Sequence, residues 1–267
     1  MAKIELYDTI ETKASLETLD VLAERLPKPI ILLGGWAVYF LVNESYQKEL
    51  GFTYLGSRDV DIGFHIPKDV TEFDLITGNF KPAIEILKRM GYKKEGASRF
   101  CRSIDKRTGE TVVGNTIDSI KGENLFHLFV DPIVDYSHPL LSDFEDITPI
   151  EEPILTKAVL ENKFKTIKIG KGDVKVPEPD ILLEMKISSL PKRTRLDKKL
   201  KDICDIYSLI WHSEKPFIKV ITPVKEDCLE LIMEAKPSFS DEIKKEAIYY
   251  LGIELAVFEG VMKNLFE

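Results

Sequence analysis

The segment Ser57-Arg58-Asp59-Val60-Asp61-Ile62-Gly63-Phe64-His65-Ile66 alternates apolar residues with Asp, Gly and His at a strict period of two. Such alternation specifies a β-strand, because successive side chains leave a strand on opposite faces. Val60, Ile62, Phe64 and Ile66 then share one face, and Asp59 and Asp61 share the other. Two carboxylates side by side repel by about 4 kcal/mol at roughly 4 Å and an effective dielectric near 20. A strand flanking a core has little structural reason to hold that repulsion, and a divalent cation removes it. Mg²⁺ is held by one or two carboxylates together with substrate phosphates, and Mn²⁺ shares the preference for oxygen ligands. An isolated Asp-x-Asp is better read as a solvated strand edge; the apolar neighbours and an upstream glycine pair favour a metal site here.

That glycine pair follows Ile30-Ile31-Leu32-Leu33, a short apolar run suited to a buried strand, and precedes WAVYFLVNESY, which reads as a helix. Gly34 and Gly35 therefore stand at a strand-to-helix turn. Backbone N–H groups at such a helix start, unhindered by side chains, can cradle a phosphate, although a plain tight turn has the same residues. A third carboxylate on a neighbouring strand completes the arrangement. Asp131 ends the apolar run Leu128-Phe129-Val130, and Asp135 is the alternative. The ordinary role of an Asp before Pro132 is turn formation.

The remaining pattern supplies the frame. A helix is expected over residues 15–26, ended by Pro27 and Pro29, and another over residues 80–90, ended by Gly91. A hairpin is expected from Ser98 to Ile117 around the turn 106–110, a strand from Leu125 to Asp131 that stops at Pro132, and a helix over 151–163. Residues 164–177 read as a second hairpin, with Gly170-Lys171-Gly172-Asp173 as a turn and not a phosphate loop. From Pro179 the strand signals disappear, and helices are expected near 179–190, 195–212, 223–235 and 240–265. The fold class is α+β, with domains at 1–178 and 179–267.

Composition narrows the function classes. A net charge of −8 does not favour a broad nucleic-acid grip. A local basic run from Lys186 to Lys201 could still meet a polyanion. Nothing approaches the roughly 20 apolar residues that span a bilayer, and the first fifteen residues carry no apolar leader segment, so a cytoplasmic protein without a membrane partner is expected. Three dispersed cysteines and four scattered histidines exclude a disulfide framework and a zinc-ligand spacing; His65 and His127 read as packed residues. Lys186 lies among Ile181, Leu182, Leu183, Met185 and Ile187. A lysine near a core needs an anionic partner. Lys201 and Asp205 stand at i, i+4, which periodicity alone places on a solvated helix face.

Leu32-Leu33-Gly34-Gly35-Trp36-Ala37, Ser57-Arg58-Asp59-Val60-Asp61-Ile62 and a later strand acid together resemble the nucleotidyltransferase superfamily of DNA polymerase beta and kanamycin nucleotidyltransferase. Within it the likeness is closest to AbiE-type nucleotidyltransferases, which include toxins of toxin–antitoxin systems. A second match lies in Met185-Lys186-Ile187 and Lys201-Asp202-Ile203-Cys204-Asp205. The resemblance covers most of residues 30–212 and implies a mixed sheet with flanking helices followed by a helical bundle. It implies that Asp59, Asp61 and Asp131 hold Mg²⁺ (or Mn²⁺). Gly34, Gly35, Arg58, Lys186, Lys201 and Asp202 would bind the nucleotide. Many members carry Gly-Ser in the turn; here Gly35 leaves only backbone donors, which weakens an antibiotic-modifying reading. The expected activity moves an NMP from an NTP, such as ATP, to a hydroxyl of an RNA or tRNA end, a protein or a small alcohol. A cognate antitoxin is a further expected partner. The rival is a catalytically silent nucleotide-binding or protein-interaction module.

Overall fold

A computed structural model describes residues 8–141 and 147–267; residues 1–7, the start of the segment read as leaderless, lie outside them. The chain is a mixed α+β protein in two compact units, residues 8–36 with 56–176 and residues 37–55 with 177–267. The strand-to-helix switch lies at Pro177–Pro179, and the helical unit also takes in residues 37–55.

In the sheet unit, α1 (Thr9–Arg25) starts earlier than Ser15 because Asp8 caps it, its carboxylate accepting from the Ile10 N–H at 2.8 Å. Leu19, Leu22 and Ala23 form its buried stripe. The strands are β1 (Ile31–Leu33), β2 (Val60–Phe64), β3 (Lys93–Glu95), β4 (Arg99–Asp105), β5 (Thr111–Val112), β6 (Leu125–Val134), β7 (Ile150–Glu151), β8 (Phe164–Ile169) and β9 (Gly172–Pro177). Among the described residues they form one sheet in the order β3-β4-β6-β2-β1-β9-β8, with β5 on β4 and β7 on β6. β2 runs antiparallel to β1 and parallel to β6, so the sheet is mixed. Val60, Ile62, Phe64, Leu128 and Val130 are buried, as the alternation demands.

Two strand expectations need correction. β6 does not stop at Pro132 but runs on to Val134. On that edge the β4 ladder ends at Phe100–Val130 and the β7 ladder begins at Ile133–Ile150, so Pro132 falls in a gap where pairing makes no demand on it. The second arm of the first hairpin is only β5, because Gly114 (φ +63°) turns the chain into a 3₁₀ segment, Gly114–Ser119. Sequence reading also missed β3 and α3 (Glu72–Thr77), whose start is a reciprocal Thr71/Asp74 capping box. Helices α4 (Phe80–Arg89) and α5 (Ile154–Leu160) stand inside the expected ranges.

Helix α2 (Gly34–Leu50) begins at the glycine pair itself. The helical unit then comprises α6 (Pro179–Ser189), α7 (Leu196–His212), α8 (Phe217–Asp227), α9 (Leu229–Ala235), α10 (Asp241–Leu251) and α11 (Leu255–Phe266). The expected single helix over 223–235 is broken at Cys228 (φ −134°), and that over 240–265 at Gly252, whose left-handed φ of +65° closes α10. Residues Pro179 to Ile187 of α6 are buried all round, which makes α6 an interior helix of its unit. Among the described residues no helix is long and apolar enough to cross a membrane.

Candidate functional site

Strand register brings the expected acids together. Asp61 is opposite Leu33 on β1 and level with Asp131 on β6. Level residues of adjacent strands, about 4.8 Å apart, project from the same face. Asp59 lies two residues before Asp61 on that face, and Asp59 and Asp131 are both buried. Ser57 steadies the approach, its hydroxyl donating to the Asp59 carbonyl at 3.0 Å.

Gly34 meets this cluster from the other side. Its φ is +62°, and a Cβ built on it would stand 1.7 Å from Asp61 Oδ2. No side chain larger than hydrogen fits there. The Asp61 carboxylate therefore lies against the first residue of α2, at a helix N-terminus whose first N–H groups lack intrahelical partners and whose dipole favours negative charge. Gly35 follows, buried, in the same first turn.

Sequence reading missed Arg99, on β4. Its Nε donates to Asp131 Oδ1 at 2.9 Å and its terminal nitrogen to Oδ2 at 2.5 Å, a bidentate clamp. The same nitrogen stands 3.9 Å from Asp59 Oδ2, and the guanidinium lies 4.0 Å from the Phe129 ring centroid. Burial disfavours its charge, but Asp131, Asp59 and Asp61 outweigh burial and raise its pKa above the ordinary arginine value. Only the β4–β6 pairing, Phe100 with Val130, puts Arg99 here, and nothing in the local sequence announces it.

Carboxylate oxygens are the donors a hard divalent cation takes, and Asp59, Asp61 and Asp131 supply them beside the Gly34 turn. Among the described residues no three His, Cys, Asp or Glu side chains already converge as a ligand set. Arg99 instead holds Asp131.

Asp135 has another role. Its Oδ1 accepts from the Ile66 N–H at 2.7 Å, and its Oδ2 meets His65 Nδ1 and the Thr156 hydroxyl, the latter at 3.2 Å. His65 is thus paired, with its side chain 37% exposed, and His127 is exposed, so the packed reading of these two histidines fails. Arg58 reaches Glu11 at 3.6 Å, and Glu11 also holds Lys106 at 2.6 Å.

Lys186, Lys201 and Asp202 lie in the helical unit. There the solvated-face reading of Lys201 and Asp205 fails, since both are buried. Lys186 Nζ meets Asp202 at 2.6 Å and Asp205 at 2.8 Å; Lys201 also pairs with Asp205. Arg193 joins Asp202 at 2.6 Å, and the Tyr54 hydroxyl donates to Asp205 at 2.7 Å. Burial works against the charges of Lys186, Lys201 and Asp202. The two aspartates still raise the Lys186 pKa, while burial and the neighbouring Lys186 lower that of Lys201. Heptad-like spacing cannot reveal this, because α6 and α7 bury their polar residues against each other.

No family model matches this chain, and no curated protein sequence does. Among solved structures, an antigenic nucleotidyltransferase-like protein from Paracoccidioides brasiliensis is similar, at 17% sequence identity and a TM-score of 0.40. The match covers 84% of this chain and 93% of that one.

Proposed function

We propose that the chain is a metal-dependent nucleotidyltransferase that moves an NMP from an NTP to an acceptor hydroxyl and releases pyrophosphate. The observation that carries this reading is the level pairing of Asp61 with Asp131, with Asp59 on the same face and Gly34 against Asp61. Asp59, Asp61 and Asp131 would hold the divalent cation, Mg²⁺ or Mn²⁺, and Asp131 would also take the proton of the acceptor hydroxyl. When bound, the cation supplies Lewis acidity and a template for in-line displacement. The N–H groups that open α2 at Gly34 and Gly35 take the phosphates. The new bond joins the acceptor oxygen to the α-phosphorus, the bond to the β-bridging oxygen breaks, and pyrophosphate departs with that electron pair. Positioning and charge neutralisation account for most of such catalysis.

One observation favours a second reading, a silent nucleotide-binding or protein-interaction module. The Arg99 clamp supplies Asp131 with a positive partner from the chain itself. Incubation with Mg²⁺ and each labelled NTP, with and without total RNA, separates the two. Label transfer or pyrophosphate release that disappears in Asp61→Asn is the expected result. Nucleotide binding without release under any condition assigns the chain to the module. Transfer that depends on RNA names the acceptor class; transfer without RNA points to a protein or small alcohol.

A further inference from the structure

A site built to take a cation already contains one, that of a guanidinium. Both oxygens of Asp131 are engaged by Arg99, at 2.9 and 2.5 Å, and the same side chain neutralises Asp59 across 3.9 Å. Its side chain is 33% exposed, whereas those of Asp59 and Asp131 are 11% and 7% exposed, so Arg99 approaches the acids from the solvent side. It rests there on Phe129, which gives the guanidinium a face to stack on while its charge points at the acids. Each Asp131 oxygen already accepts from Arg99, so a metal would bind a carboxylate whose charge is largely neutralised. Two positive charges within a few ångströms of one carboxylate also repel.

We propose that Arg99 is a counter-ion latch: in the metal-free protein it neutralises Asp131 and Asp59, and binding of a divalent cation displaces it from Asp131. The inference rests on the nucleotidyltransferase reading of the three acids. The latch accounts for how buried, mutually repelling carboxylates are accommodated together. It also makes the cation compete with an internal charge, so that a bare metal ion binds less tightly than the carboxylates alone would allow.

Mn²⁺ binding to the chelator-treated full chain tests this by calorimetry, with Arg99→Gln and Asp61→Asn beside the wild type. Loss of two charge-assisted bonds as competitors is expected to tighten Mn²⁺ binding to Arg99→Gln by about tenfold. The same variant is expected to melt below the wild type in EDTA and to recover in saturating Mn²⁺. Wild-type binding with equal or weaker binding by Arg99→Gln overturns the latch and leaves the metal site standing. Absence of Mn²⁺ binding in both, or binding that survives Asp61→Asn, overturns the metal site and the latch with it. If Arg99→Gln does not fold, phenylglyoxal labelling of the wild type decides. Arg99 is expected to be protected in EDTA and modified in saturating Mg²⁺, and equal labelling overturns the proposal.

Discussion

Gly34 and Asp61 are the residues whose mutual fit is tightest. The left-handed φ of +62° alone would make a side chain at Gly34 cost about 1 kcal/mol. The 1.7 Å approach to Asp61 Oδ2 adds that any Cβ must push the carboxylate aside. Displacing a reacting group by an ångström can cost about 100-fold in rate. Gly34→Ala is therefore expected to lower nucleotidyl transfer by roughly that factor while the fold survives, as pyrophosphate release and circular dichroism together would measure. A wild-type rate in Gly34→Ala would remove this turn from the site. The motif Asp59-x-Asp61 and the glycine pair were both legible in the sequence, because period two and a strand–Gly–Gly–helix pattern are local signals. That the two touch was not legible.

At the scale of elements, α6 and α7 show how a local pattern misleads. The i, i+4 pair Lys201–Asp205 has the spacing of a solvated helix face, but it is buried together with Lys186, Asp202 and Tyr54, and the half-exposed Arg193 reaches Asp202. Removing one partner from a buried ion network leaves uncompensated charge, which typically costs about 3–5 kcal/mol. Lys186 bridges both aspartates, whereas Lys201 pairs with Asp205, which also has Lys186 and Tyr54, and lies 5.2 Å from the Tyr54 ring centroid. Lys186→Met is thus expected to destabilise the protein by about 3 kcal/mol and Lys201→Met by clearly less, measured by urea unfolding. The reverse order would refute the bridging role. Pro132 makes the same point for strands. A proline argues for a strand end until the sheet shows that its neighbouring edge is bare.

For the whole molecule, the buried His212 couples stability to pH. The ring lies between Tyr46 and Tyr207, with centroids 4.8 and 5.9 Å away, and Glu49 stands 3.5 Å from Nδ1. Burial lowers its pKa below the ordinary 6.5, and Glu49 opposes that only in part. A depressed histidine is neutral in the folded chain while the unfolded chain takes up a proton. Stability is therefore full above about 6.5 and falls as pH drops through that value toward the folded pKa. Thermal midpoints taken between about pH 7.5 and 5.5 are expected to fall for the wild type and to fall less for His212→Phe, which keeps the ring contacts without the titration. Parallel slopes in the two proteins would exclude His212 as the source.

By itself the sequence determined what short-range physics controls. It specified the alternating strand of Asp59 and Asp61, the glycine turn into a helix, the switch to helices from Pro179, and the helix stops at Pro27 and Gly91. Tertiary structure alone decided what depends on strand register and on which faces meet. It made Asp131 level with Asp61, tied Asp135 to His65 and Ile66, and buried the lysine–aspartate network. It also put Arg99 on the acids. Sequence neighbours fix period and propensity, but β4, β2 and β6 become adjacent only through pairing between distant segments. The Asp59/Asp61 pair was therefore readable early, and the guanidinium that holds its partner acid was not.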